Sequence, residues 1–89
     1  MATYKVEFVK SAQKEFHRLP ANLKIQTAEA LSLLAQNPIS ELIKVKKLKG
    51  ADKLYRIRLG DYRVVYEIRN EQLIVLVIKI GHRREIYRR

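Results

Sequence analysis

The sequence predicts a single α+β domain over residues 1–89: an N-terminal strand, a helical hairpin, then a three-strand antiparallel meander forming one curved sheet. Apolar residues alternate with polar ones at the N-terminus and again after Lys53, the pattern of half-buried strands. Between these stretches Leu23, Thr27, Ala30, Leu31 and Leu34 recur at helical spacing. Turn residues at Gly60-Asp61 and Asn70-Glu71 punctuate the second half. A chain of 89 residues has material for one core, and with 47% apolar residues it can build one.

Tyr4, Val6 and Phe8 face one side of the first strand and Lys5 and Glu7 the other. Ser11 is the expected N-cap of a short helix carrying Phe16 and Leu19, which Pro20 ends. Asn22 is expected to cap the second helix, an amphipathic segment of about three turns that stops at Asn37-Pro38. Residues 38–52 follow no period. Ile39, Leu42, Ile43, Val45 and Leu48 can anchor a loop there, while Lys44, Lys46, Lys47 and Lys49 put four positive charges into six positions. That run reads either as a solvated basic loop or as a phosphate-backbone contact.

Strands are expected from about Lys53 to Leu59, Tyr62 to Arg69 and Gln72 to Ile80, with a type II′ turn at Gly60-Asp61 and a two-residue turn at Asn70-Glu71. The last is apolar on both faces, with Leu73, Val75 and Val77 on one and Ile74, Leu76, Ile78 and Ile80 on the other. It should therefore be central and covered on both sides. The helices can cover one face only, which leaves the other for a ligand or a partner. Gly81 is expected to end the strand.

Nineteen Lys and Arg against nine Asp and Glu give a net charge of +10, which points to a nucleic acid, an acidic protein or an anionic surface. The longest apolar run, Leu73 to Ile78, is too short to span a bilayer, and no signal-peptide pattern opens the chain. A cytoplasmic protein without a membrane partner is expected. There is no cysteine, hence no disulfide framework and no thiolate metal site.

A turn at Gly60-Asp61 sets Arg58 directly opposite Arg63, with Arg56 on the same face, while Tyr55, Ile57, Val64, Tyr66 and Ile68 form the apolar face. Like charges placed opposite each other are destabilising. A polyanion held on that face would offset the repulsion; arginines displayed for solubility are the alternative. His82, Arg83, Arg84, Tyr87, Arg88 and Arg89 form a second basic cluster. His82 is either structural or an acid–base group, and Tyr87 either covers core or stacks on a base.

Two distant histidines without cysteines do not make a zinc site, and there is no Gly-rich phosphate loop, serine elbow or paired carboxylate. An enzyme with this inventory would use no metal or cofactor and would act mainly through positive charge. Phosphodiester cleavage by the 2′-hydroxyl of RNA fits, because the substrate brings its own nucleophile.

The succession KLKG, LYRIRLGDYRVVYEI, an apolar strand and GHRREIYRR resembles the RelE family of toxins, within the wider RelE/ParE toxin–antitoxin superfamily, over almost the whole chain. Its terminal HRREIY favours the RelE branch. The resemblance implies the toxin of a type II toxin–antitoxin pair, a cytoplasmic, metal-independent endoribonuclease that cuts mRNA in the ribosomal A site. The implied chemistry is 2′-hydroxyl attack, leaving a 2′,3′-cyclic phosphate and a 5′-hydroxyl. The implied partners are a cognate antitoxin, the ribosome and mRNA, with operator DNA reached only through the antitoxin.

By the same resemblance, two basic strand positions that are lysines in well-known members fall on Arg56 and Arg58, and the arginine of Y-R-x-V-Y falls on Arg63. The arginine and tyrosine of the terminal motif fall on Arg83 and Tyr87, and His82 matches a histidine of other branches. An arginine does not readily give up its proton. Arg58 and Arg63 are thus assigned to transition-state charge, Arg83 to the phosphate or leaving group, Tyr87 to substrate orientation and His82 to proton transfer. Lys46, Lys47, Lys49, Arg56 and Arg84 are assigned to substrate binding. The face of the last strand with Ile74, Leu76 and Ile78 reads either as a docking surface for the antitoxin or as a surface covered by the sheet's own curvature and the C-terminal segment. A ParE-like gyrase inhibitor and a non-catalytic nucleic-acid or antitoxin-binding module are the competing readings.

Overall fold

In a computed structural model of the chain, residues 3–40, 43–48 and 53–82 are described. They form β1 (Lys5–Phe8), α1 (Lys10–His17), α2 (Ala21–Gln36), β2 (Lys46–Lys47), β3 (Leu54–Leu59), β4 (Tyr62–Arg69) and β5 (Ile74–His82). The strands make one sheet in the order β1-β5-β4-β3-β2. The expected α+β plan of strand, helical hairpin and meander is present, and the sheet is mixed. β1 runs parallel to β5, with Val6 beside Val75 and Phe8 beside Val77. The lysine run, read above as irregular, contributes a short edge strand: Lys46 pairs with Arg56 and Lys47 with Tyr55. A two-residue lysine edge discourages further strand addition.

Both helices start one residue before their expected caps. The Val9 amide donates to the Val77 carbonyl at 3.0 Å and the Val9 carbonyl accepts from Gln13 at 3.0 Å, so one residue closes β1 and opens α1. Pro20 opens α2, its φ of −56° already suited to a helix start and its carbonyl accepting from Leu23 and Lys24. Ser11 and Asn22 consequently lie inside the helices, and neither N-cap side chain makes a capping bond. Thr27, Ala30, Leu31 and Leu34 are buried along α2. They belong to the helix face that meets Ile57, Val64, Tyr66, Ile68, Val75, Val77 and Ile80 of the sheet. Tyr66, fully buried, stacks on Tyr55 at 6.0 Å and donates its hydroxyl proton to the Pro38 carbonyl at 2.6 Å. That bond ties the chain leaving α2 to the middle of the sheet. Among the described residues no helix is long and apolar enough to cross a membrane.

Two features of β5 correct the period-two reading. Val65 lies opposite Lys79 but Tyr66 lies opposite Val77, so Ile78 is an extra, bulged residue. The bulge moves Ile80 off the face of Ile74 and Leu76 onto that of Val75 and Val77, where it is 2% exposed. An unbulged strand would instead turn Lys79 into the core, and burying an ammonium costs several kcal/mol. The strand also runs through Gly81 to His82, because these residues still pair with Arg63 and Tyr62.

The β3–β4 turn has its one positive φ, 61°, at Gly60, as a type II′ turn requires. The β4–β5 connection is longer than two residues and closes on Leu73, not part of the strand, at a φ of 55°. A left-handed L-residue costs about 1–2 kcal/mol, and Leu73, 39% exposed, recovers little of it by burial. Leu73→Asn is therefore expected to stabilise the fold by about 1 kcal/mol, raising Tm by roughly 4–8 °C in thermal unfolding. An unchanged or lower Tm would mean that the leucine side chain contributes more than its backbone strain removes.

Candidate active site

The turn chemistry of Gly60-Asp61 sets the register of the arginine hairpin. Arg58 lies opposite Arg63, which lies opposite Gly81; on the adjoining rung of the same face, Lys46, Arg56, Val65 and Lys79 follow one another across four strands. The two facing arginines are separated by depth. Arg58 is exposed and forms no ion pair among the described residues, whereas Arg63 is 2% exposed. The Arg63 guanidinium turns back on the hairpin, Nη1 donating to the carbonyls of Gly60 and Tyr62 at 3.4 and 3.3 Å. Gly81 adds no side chain to that rung. The acids of this face lie toward the other end of the sheet and are engaged there, Glu67 with Arg69 at 2.7 Å and Glu7 with Lys5 at 3.9 Å. Positive charge is thus concentrated at the Gly60 end.

A groove of about 530 Å³ opens beside these residues, lined by the apolar Ala30, Ile43 and Leu59 together with Lys44, Lys46, Arg56 and Arg58. A lining that combines apolar side chains with four cations suits a nucleotide, whose base and phosphates need both. A cleft of about 600 Å³ at the β4–β5 turn is larger, but Lys53, Glu67, Arg69 and Glu71 line it together. Its opposed charges do not favour a polyanion.

The structure separates some of the residues that the sequence grouped. His82 pairs with Tyr62, its ring meeting the tyrosine edge-on at 5.6 Å. The register sets both on the helix-facing side of the sheet, at the same end as Arg58 and Arg63 but on the opposite face. Lys46 shares the arginine face, while Lys47, paired with Tyr55, is directed to the other. Ile74, Leu76 and Ile78 are half-buried. Lys49, Arg83, Arg84 and Tyr87 lie outside the described residues.

One residue next to this site escaped the sequence reading. Glu15 of α1 accepts the Ile80 amide at 2.8 Å on Oε1 and the Lys79 ammonium at 3.2 Å on Oε2. The available signal was spacing: Glu15 shares the inward stripe of Ala12, Phe16 and Leu19, an unusual place for a carboxylate with no task.

The family model described as the ParE toxin of the type II toxin–antitoxin system, parDE, matches residues 6–87. The mRNA interferase toxin RelE of Escherichia coli (strain K12) is 32% identical over 88 residues, covering 94% of this chain and 90% of that protein. Toxin RelG of Mycobacterium tuberculosis is 31% identical over 88 residues, covering 97% of this chain and 98% of the relative. A chain of the archaeal RelE–RelB complex from Pyrococcus horikoshii OT3 superposes with a TM-score of 0.80 at 33% identity, covering 91% of this chain and 96% of that one. With the strand order, the arginine hairpin and near full-length similarity in agreement, the chain belongs to the RelE family of toxins, within the RelE/ParE superfamily of toxin–antitoxin systems.

Proposed function

We propose that this toxin is a cytoplasmic endoribonuclease that cuts mRNA in the ribosomal A site without a metal ion, and that a RelB-like antitoxin neutralises it. The observation that carries the reading is the concentration of Lys46, Arg56, Arg58 and Arg63 on one sheet face beside a groove with a partly apolar lining. The RNA 2′-hydroxyl attacks the adjacent phosphorus, the 5′-oxygen of the next nucleotide leaves, and a 2′,3′-cyclic phosphate remains. The intermediate carries one more negative charge than the substrate. Preorganised guanidiniums aimed at that charge lower the barrier without having to lose a proton.

In this scheme Arg58 meets the phosphate from the solvent side and Arg63 from within the protein. Arg83 steadies the leaving group and Tyr87 orients the substrate. His82 stands at the same end of the sheet but on its opposite face, so the proton transfer read for it from the sequence passes to groups of the RNA or the ribosome. Lys46, Lys49, Arg56 and Arg84 hold the flanking backbone, while Lys47 faces away from them. The RelB partner of the Pyrococcus horikoshii relative supports the antitoxin assignment, and the name of the Escherichia coli relative supports mRNA cleavage.

The test is to add purified, chelator-treated toxin to ribosomes programmed with a defined mRNA. Cleavage confined to the A-site codon, absent from free mRNA and abolished by antitoxin, is expected; intact mRNA at saturating toxin sinks the proposal. The match to the ParE model favours a second reading, inhibition of DNA gyrase. Gyrase-dependent DNA breaks with mRNA left intact would establish that reading in its place.

A further inference from the structure

We infer that Glu15 is a positioning residue for the cleavage proposed above: its carboxylate holds the bulged end of β5, the strand that carries Gly81 and His82 and continues in sequence into RREIY. The inference rests on that reading for its effect on rate and on geometry for its effect on the strand.

β1 stops at Phe8, and the Val9 amide on the Val77 carbonyl is the last backbone bond along that edge. Beyond it, among the described residues, β5 is paired on the β4 side only, and Glu15 takes the place of a strand. In a regular strand every second residue directs its amide to the same edge, so the amide following Val77 on that side would be that of Lys79. The extra residue Ile78 shifts the alternation, and the amide that meets the carboxylate is that of Ile80. Glu15 is therefore matched to the bulged register. The same register sets Gly81 opposite Arg63 and His82 against Tyr62.

The carboxylate lies at a cleft of about 360 Å³ shared with Arg18, Tyr62, Lys79 and Gly81, and its side chain is 27% exposed. Water can reach the Ile80 amide once the carboxylate is removed. Losing Glu15 therefore leaves a hydrated donor and a looser strand end, a change that falls on geometry more than on folding. A displacement of about 1 Å at a reacting group can cost on the order of a hundredfold in rate.

The experiment compares the parent with Glu15→Ala, Glu15→Asp and Glu15→Gln. In Glu15→Ala the Ile80 amide is expected to exchange with solvent at least about tenfold faster, and the His82 ring protons to lose the shift imposed by the Tyr62 ring. Its kcat in the ribosome assay falls about tenfold or more with KM within about twofold. Glu15→Gln keeps an acceptor at the same reach and restores all three readouts. Glu15→Asp, one methylene short, behaves like Glu15→Ala and serves in its place should alanine impair folding. Unchanged Ile80 exchange and unchanged His82 shifts in Glu15→Asp overturn the inference, as does a folded Glu15→Ala that cuts at the parental rate. If the parent cuts nothing, the proposed function falls, and exchange and ring shift still decide the positioning claim.

Discussion

Arg63→Met is expected to reduce single-turnover cleavage of ribosome-bound mRNA by about 10²–10³-fold while leaving thermal stability unchanged or raised. Methionine keeps much of the aliphatic stem and removes only the charged fork. Arg63 is buried on the rung it shares with Arg58, and a charge in a low-dielectric setting acts more strongly on a developing phosphorane than the same charge in water. Two like charges on facing positions also repel, so removing one relieves the fold as it disables the chemistry. The bonds from Arg63 to the carbonyls of Gly60 and Tyr62, at 3.4 and 3.3 Å, are each long and weak. Opposite signs in the two measurements identify an arginine held for function. A parallel loss of Tm and rate would mark Arg63 as a brace for the hairpin, and full activity would remove it from the site. Arg63→Lys keeps the charge but not the planar fork and should fall between parent and methionine.

Tyr66→Ala is expected to cost about 3–5 kcal/mol in urea unfolding, and Tyr66→Phe about 1–2 kcal/mol. Tyr66 is the largest fully buried side chain of the described residues, stacked on Tyr55 and bonded to the Pro38 carbonyl, so alanine leaves a cavity while phenylalanine strands one buried acceptor. Burial, with the neighbouring Tyr55 adding, pushes the Tyr66 hydroxyl well above the usual tyrosine range. The folded state then keeps a proton that the unfolded chain gives up near pH ~10. Its contribution is complete below that pH and shrinks as pH rises toward the folded-state value. Unfolding at pH 8 and at pH 11 separates the two terms: the parent should lose more stability over this interval than Tyr66→Phe. An equal alkaline loss in both proteins would assign it to the other tyrosines and lysines.

Much of this arrangement was legible from local chemistry. Gly60-Asp61 determines the hairpin register within a few residues of itself, and Arg58 faces Arg63 as a direct consequence. The helical spacing of Thr27, Ala30, Leu31 and Leu34 identifies the buried face of α2 without reference to what it covers. The terminal motif identifies the family, and the basic excess is read directly from composition. The site was less legible, because it joins segments with no local relation.

The parallel pairing of β1 with β5 unites the first and last described strands, and no turn between them announces it. Lys46 joins the arginines only because β3 offers it an edge, while its neighbour Lys47 is sent to the other face. Ile80 and Lys79 exchange places relative to strict alternation because the core accepts an isoleucine and rejects an ammonium, and Glu15 meets the amide that this exchange presents.

Turn chemistry, periodicity and composition act over short separations, and from them the sequence specifies the class of fold, the excess of positive charge and the pairing of the arginines. Only the tertiary structure decided that Arg63 lies inside and Arg58 outside, that His82 stands behind the arginine face, and that a helix carboxylate closes the strand end. Depth and edge partners depend on what the rest of the chain packs around a position, and residue type and spacing do not encode that.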